Sequence, residues 1–279
     1  MIELENLSLV VLKRKCFYFL LMSFLLISFS CKFSFPDYGN NTQVGKYFMI
    51  RGFKMYCDIY GNGKPLLFIH GNGGSISTFK NNIPYFSGRY MVIVADSRSS
   101  GKSLDNKDSL SFEMMADDYA SLMDSMNLKS ADIFGWSDGG IIGILMAIRH
   151  PSKVSMLAVS GANLWPGVPA IQPDEWRKDI EQHSKLGSLA DKTPFEKQQF
   201  KLSDLDIKQP NISISQLHTI HCPTLIISGE HDIVKKQHTR MIYENIVNAN
   251  LWMVSHAGHY TLNRINNRVD EFFSNRLSP

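Results

Sequence analysis

Cysteine is scarce, with four residues in 279. That is too few for a disulfide scaffold, and no Cys-x-x-Cys or His-x-x-x-His spacing supplies the paired ligands of a structural zinc site. An excess of one charge is also missing. Lys and Arg number 29 against 26 Asp and Glu, a formal +3. With no basic stripe and no interleaving of arginine with aromatics, the electrostatic footprint of a nucleic-acid protein is absent. Long apolar runs are lacking too. The run Cys16–Ser30 has 15 residues, where about 20 cross a bilayer. Beyond residue 43 there is no internal repeat and no low-complexity tract. What remains is the composition of a folded globular domain behind an unusual front end.

That front end reads as an address. Lys13, Arg14 and Lys15 precede the apolar run, the basic n-region and short h-region of a secretory signal. Ser28-Phe29-Ser30-Cys31 resembles a bacterial lipobox, which implies cleavage before Cys31 and a lipid on its thiol. The competing reading is an uncut signal anchor. Under either, residues 1–30 are a signal segment and the protein is exported and membrane-associated, on the periplasmic or cell-surface side. Residues 31–46 carry Pro36, Gly39 and Asn40-Asn41 without periodicity, which suits a tether. Cys57 and Cys222 are expected as buried free thiols.

From residue 47 to the C-terminus the pattern is one domain. Short apolar runs at Lys54–Tyr60, Pro65–Ile69, Tyr90–Ala95, Ala131–Gly135, Val154–Val159, Thr224–Ser228 and Asn250–Val254 read as strands, most of them buried on both faces. Helices are expected at Ser77–Phe86, Phe112–Met126, Gly140–Arg149 and Asn263–Phe273. In the second, apolar residues recur at 112, 115, 119, 122, 123 and 126. Strands alternating with helices indicate a mainly parallel sheet flanked by helices. Between residues 163 and 217 five prolines punctuate two helical stretches, near Trp176–Leu186 and Phe195–Leu205. A helical insert of this kind suits a cap over a site.

Chemistry concentrates at three strand ends. Gly135-Trp136-Ser137-Asp138-Gly139 is a G-x-S-x-G between a strand and a helix, the context of a nucleophile elbow. A serine hydroxyl needs a base to take its proton and a carboxylate to orient that base. Asp232 follows the strand TLIIS, and His259 follows LWMV, completing the chain order Ser, Asp, His. His256 and Glu230 are the competing base and acid. Asp138 as a nucleophile would place the bulky Trp136 where a small residue is required. His70-Gly71-Asn72-Gly73-Gly74 follows PLLFI. Its backbone can approach a substrate, so the oxyanion donors are expected to be the N–H groups of Asn72 and Asp138, with Gly73 as alternate to Asn72.

Together these residues resemble the α/β-hydrolase fold family, abhydrolase type, from about Tyr47 to Phe273. His70-Gly71 is similar to that family's oxyanion motif. Asp96-Ser97-Arg98-Ser99-Ser100-Gly101-Lys102-Ser103 is similar to its D-x-R-G-x-G-x-S loop, with Ser99 where glycine is usual. The elbow and Ser160-Gly161-Ala162-Asn163 are most similar to the valacyclovir-hydrolase (biphenyl hydrolase-like) branch. That resemblance implies that Asp138 also anchors the ammonium of an α-amino-acid ester. The competing reading keeps its carboxylate bonded within the elbow.

The expectation is a serine hydrolase acting on a small carboxylic ester, without metal or organic cofactor and with no nucleic-acid partner. Thioesters, lactones, N-terminal peptide bonds and C–C bonds could use the same machinery. A membrane-tethered binding domain that does no chemistry is the alternative from another class.

Overall fold

The computed structural model describes residues 36–105, 107 and 109–275. The signal segment 1–30 and Cys31 lie outside the described residues. Eight strands form one sheet: β1 (Gly45–Ile50), β2 (Phe53–Tyr60), β3 (Lys64–Ile69), β4 (Tyr90–Ala95), β5 (Ala131–Trp136), β6 (Val154–Ser160), β7 (Thr224–Gly229) and β8 (Ala249–Val254). Their order is β1-β2-β4-β3-β5-β6-β7-β8. β2 is antiparallel to both β1 and β4, and every pairing from β4 to β8 is parallel.

The unbroken apolar runs follow from this topology. Successive residues of a strand point to opposite faces, and here both faces are covered. Leu67, Ile69, Ile93 and Ile133 join a core with helices α2 (Phe112–Ser125) and α3 (Asp138–Arg149). Their neighbours Leu66, Phe68, Val92 and Phe134 join the opposite core, with α1 (Ile83–Phe86) and α8 (Asn266–Phe273). Between β6 and β7 the chain builds the cap from α4 (Pro173–Gly187), α5 (Pro194–Lys208) and the single turn α6 (Ile214–Leu217), and α7 (Lys236–Glu244) connects β7 to β8. Cys57 is buried and Cys222 half-buried, both as free thiols.

Several elements differ from the sequence reading. The helix expected over Ser77–Phe86 divides into a 3₁₀ turn, Ile76–Phe79, and α1. Pro84 has no N–H to donate to a preceding turn, so it sits in the first turn of a new helix. The last helix starts at Asn266, three residues late. β1 and α7 carry no apolar period. β1 is an edge strand with Tyr47 and Met49 exposed, and α7 buries His238 and Thr239 along with Ile242. Ahead of β1, Tyr38 is buried edge-on against Tyr60, and Gly39 N–H donates to Asp58 at 2.9 Å.

One buried histidine fastens the start of the cap. His238 Nε2 accepts the Leu164 N–H at 2.9 Å, and Trp165 stands edge-on at 4.8 Å. Its Nδ1 is buried without a partner, and burial pushes the imidazole pKa down to about 4. Unfolded, the same group titrates near 6.5, so the folded state resists the proton. Stability is therefore complete above about pH 6.5 and declines as pH falls toward 4. Urea unfolding at pH 7 and pH 4.5 should show a loss of order 2 kcal/mol from this group. The pH dependence should shrink by that amount in His238→Gln, and an undiminished dependence in the variant would refute the assignment.

Candidate active site

The site begins with a turn only small residues permit. Ser137, between β5 and α3, has φ 57° and ψ −124°, a region costly for any side chain. A Cβ at Gly135 would stand 2.1 Å from Gly139 O, and one at Gly139 would stand 1.9 Å from Ile69 O. The strand and helix can converge on Ser137 only with both glycines. The turn is held by Ser137 N–H donating to Ser160 O at 2.8 Å and by Gly140 N–H donating back to Ser137 O at 2.7 Å.

Three separate strand ends meet there. His259 Nε2 lies 2.9 Å from Ser137 Oγ, and its Nδ1 lies 2.7 Å from Asp232 Oδ1. Burial alone would raise the Asp232 carboxyl. Hydrogen bonds from His259 and from the N–H groups of Val234 and Gly229 hold it below the usual carboxylate range. Ionised Asp232 accepts from Nδ1–H, which leaves the Nε2 lone pair facing the serine hydroxyl. Trp136 Nε1 donates to His259 O at 3.0 Å and fixes the loop. The competing pair is elsewhere. The His256 side chain is 88% exposed and 3.9 Å from Glu230, so neither belongs to this cluster.

The turn after β3 supplies a second wall. His70 is buried and burial lowers its pKa, so it is neutral. Its Nε2 accepts the Ser97 N–H at 2.9 Å, so Nδ1–H donates to Gly71 O at 2.8 Å and shapes the turn. Gly71 is obligatory, because a Cβ there would stand 2.8 Å from Ser137 Cβ. Asn72 and Asp138 come together at the elbow, and among the described residues their backbone N–H groups have no acceptor. Both are available to a developing oxyanion.

Above the elbow the cap contributes acids that the motif search missed. Asn72 Nδ2 donates to Leu202 O at 3.3 Å and to Asp206 Oδ2 at 2.8 Å, both on α5. Asp138 is buried beside them, and its carboxyl is pushed up to about 6, first by burial and further by the charge of Asp179 on α4. Asp206 is raised well above the usual range by burial and then by the Asp138 charge. Two carboxyls this close hold a proton between them, or they hold a cation. Among the described residues no group of three potential metal ligands converges. Asp206 lies in the last turn of α5 with no motif around it, so only packing reveals it. Gly161, at φ 69°, stands in the Ser160–Asn163 segment the sequence singled out, and its role at the site comes from packing. A Cβ there would stand 2.7 Å from His259 Cε1.

A sequence model for the α/β hydrolase fold matches residues 64–188, from β3 through the elbow to the first cap helix. Among curated relatives, the serine hydrolase BPHL of Mus musculus is 28% identical over 181 residues, 60% of this chain and 59% of that one. The chain thus spans somewhat over half the length of the curated relatives it matches first, 59% and 55%. Solved structures extend the likeness across the fold. The meta-cleavage product hydrolase of Pseudomonas fluorescens IP01 superposes with a TM-score of 0.70 at 22% identity, over 85% of this chain and 100% of that one. The carboxylesterase CesB of Bacillus subtilis does so at 0.67 and 20%, over 83% and 91%. Sheet order, elbow and matched segment agree, and the chain has the α/β-hydrolase fold.

Proposed function

We propose that this protein is a serine hydrolase that cleaves a carboxylic ester through an acyl-enzyme. The observation that carries this reading is the unbroken chain of hydrogen bonds from Ser137 through His259 to Asp232. Ser137 Oγ attacks the ester carbonyl while its proton passes to His259 Nε2, and Asp232 stabilises the resulting imidazolium. The oxyanion is met by the N–H groups of Asn72 and Asp138. His259 then returns the proton to the leaving alcohol. Water, deprotonated by the same imidazole, releases the acid and restores Ser137. The names of the relatives, serine hydrolase and carboxylesterase, support the reaction class.

The favoured substrate is a small α-amino-acid ester. The support is Asp138, one residue from the nucleophile, with Asp206 beside it. An ammonium group on the carbon next to the attacked carbonyl would lie within reach of both and would relieve their mutual repulsion. On the N-terminal sequence pattern, the proposal includes export through residues 1–30 and a membrane attachment through Cys31 or an uncut anchor. That location would direct the enzyme to esters outside the cytoplasm.

Intact-protein mass spectrometry after fluorophosphonate exposure should find one adduct on the wild type and none on Ser137→Ala; an unlabelled wild type would defeat the proposal. Gly161→Ala, which crowds His259, should slow that labelling at least about tenfold while leaving the unfolding midpoint within a few degrees. Equal labelling rates would mean that the imidazole does not depend on that gap.

The substrate claim has its own test in pH. Asp138 charges as pH rises through about 6, and an α-amino group loses its charge near 8. The ratio of kcat/KM for an amino-acid ester to that for its uncharged acyl analogue should therefore peak between these values and fall on the acid side through about pH 6. Taking the ratio cancels pH effects common to both substrates. Asp138→Asn should flatten the ratio by about tenfold or more at pH 7; a ratio insensitive to this substitution would exclude Asp138 as the anchor.

A further inference from the structure

Helix α5 has two occupied faces. One carries Leu202 and Asp206 to Asn72. The other carries Lys197, Lys201 and Asp204 onto a cavity of about 550 Å³ between α5 and the loop that follows β4. That volume falls within the range of small-molecule sites. Because the two sets of residues lie on opposite sides of one helix, this cavity is separate from the space above Ser137.

Its lining has a consistent chemistry. Leu104, which is 67% exposed, and Phe200 supply apolar surface. Lys107, Lys192, Lys197 and Lys201 supply four positive charges. The two acids in the lining are ion-paired: Asp105 faces Arg98 at 3.1 Å and Lys201 at 3.5 Å, and Asp204 faces Lys208 at 2.7 Å, which leaves Lys107, Lys192 and Lys197 without an acid among the described residues of the lining. Two of the ammonium groups are held in place by backbone carbonyls. Lys201 Nζ donates to Lys107 O at 2.8 Å, and Lys192 Nζ donates to Leu189 O at 2.8 Å. The local field is therefore positive beside an apolar patch.

The sharper sign is Ser99, which lines the same cavity. Its φ is 63°, a left-handed conformation that glycine adopts without strain and serine does not. It is 2% exposed, and its hydroxyl has no hydrogen-bond partner. Strained backbone and an unsatisfied buried hydroxyl both disfavour serine here, and both concern one residue at the edge of a cationic cavity. Outliers of this kind mark places where structure has been kept for a use.

We propose that this cavity binds a small organic anion, a phosphate or carboxylate carried on an apolar group. The apolar group rests against Leu104 and Phe200. The anionic oxygens meet the lysine ammonium groups. The site lies where α5 and the body of the domain meet. Its occupant would brace the helix whose other face holds Asn72.

Titration calorimetry of the full chain with phenyl phosphate, inorganic phosphate and phenol tests this without reference to catalysis. Phenyl phosphate should bind saturably, one per chain, at least about tenfold more tightly than either half alone. Lys197→Glu, on an exposed helix face, should weaken it about tenfold with little change in unfolding midpoint. Ser137→Ala should leave the affinity unchanged. Absence of saturable binding overturns the proposal. So does unchanged affinity in Lys197→Glu, and loss of binding in Ser137→Ala would assign the anion to the ester site instead.

Discussion

Everything at this site depends on how closely backbone can approach Ser137. The serine occupies a conformation that side chains avoid, and three glycines make it possible. Gly135 and Gly139 let β5 and α3 converge within distances that a Cβ would forbid, and Gly71 clears the serine's own Cβ. The consequence runs outward. With Ser137 raised above the sheet edge, the loops after β3, β7 and β8 can all reach it. The first residue of α3 presents its N–H at the same point. The carboxyl ends of parallel strands are where such sheets assemble sites, and the elbow brings them within hydrogen-bonding distance.

The second dependence is electrostatic and involves the cap. Asn72 contributes its backbone to one side of the site, while its side-chain amide is held by Leu202 O and Asp206 on α5. The turn that faces Ser137 is therefore completed by a helix inserted over a hundred residues later. Asp206 arrives beside Asp138, and burial raises both carboxyls. A cap seated this way shapes the proposed oxyanion donors and concentrates negative potential at one point above the nucleophile. The opposite face of the same helix is rich in lysine, so α5 separates two regions of opposite charge.

Much of this was legible along the chain because it is local. Strands buried on both faces leave continuous apolar runs, and β3 through β8 were read from them to within a residue or so. Ser137 was legible because strand, turn and helix are contiguous and the glycines lie two residues away on either side. Elements whose burial is polar or one-sided were not legible. β1 shows Tyr47 and Met49 to solvent and looks like a connecting segment, and α7 buries a histidine and a threonine. The helix expected at Ser77–Phe86 is interrupted between Phe79 and Ile83, because Pro84 has no backbone donor with which to continue the preceding turn.

The sequence alone determined the layered α/β architecture, the elbow and the order in which serine, aspartate and histidine occur, since each follows from short-range pattern. It left His256 and Glu230 in competition with His259 and Asp232. Only the tertiary structure removed them, by turning the His256 side chain into solvent and closing 2.9 Å and 2.7 Å contacts along the other route. It alone placed Asp206 and Asp179 near Asp138, showed that Gly161 makes room for the imidazole, and set the strained Ser99 at the edge of a cationic cavity. These are relations between residues far apart in the chain. Their distances depend on how cap, loops and sheet pack together, and no local pattern encodes that.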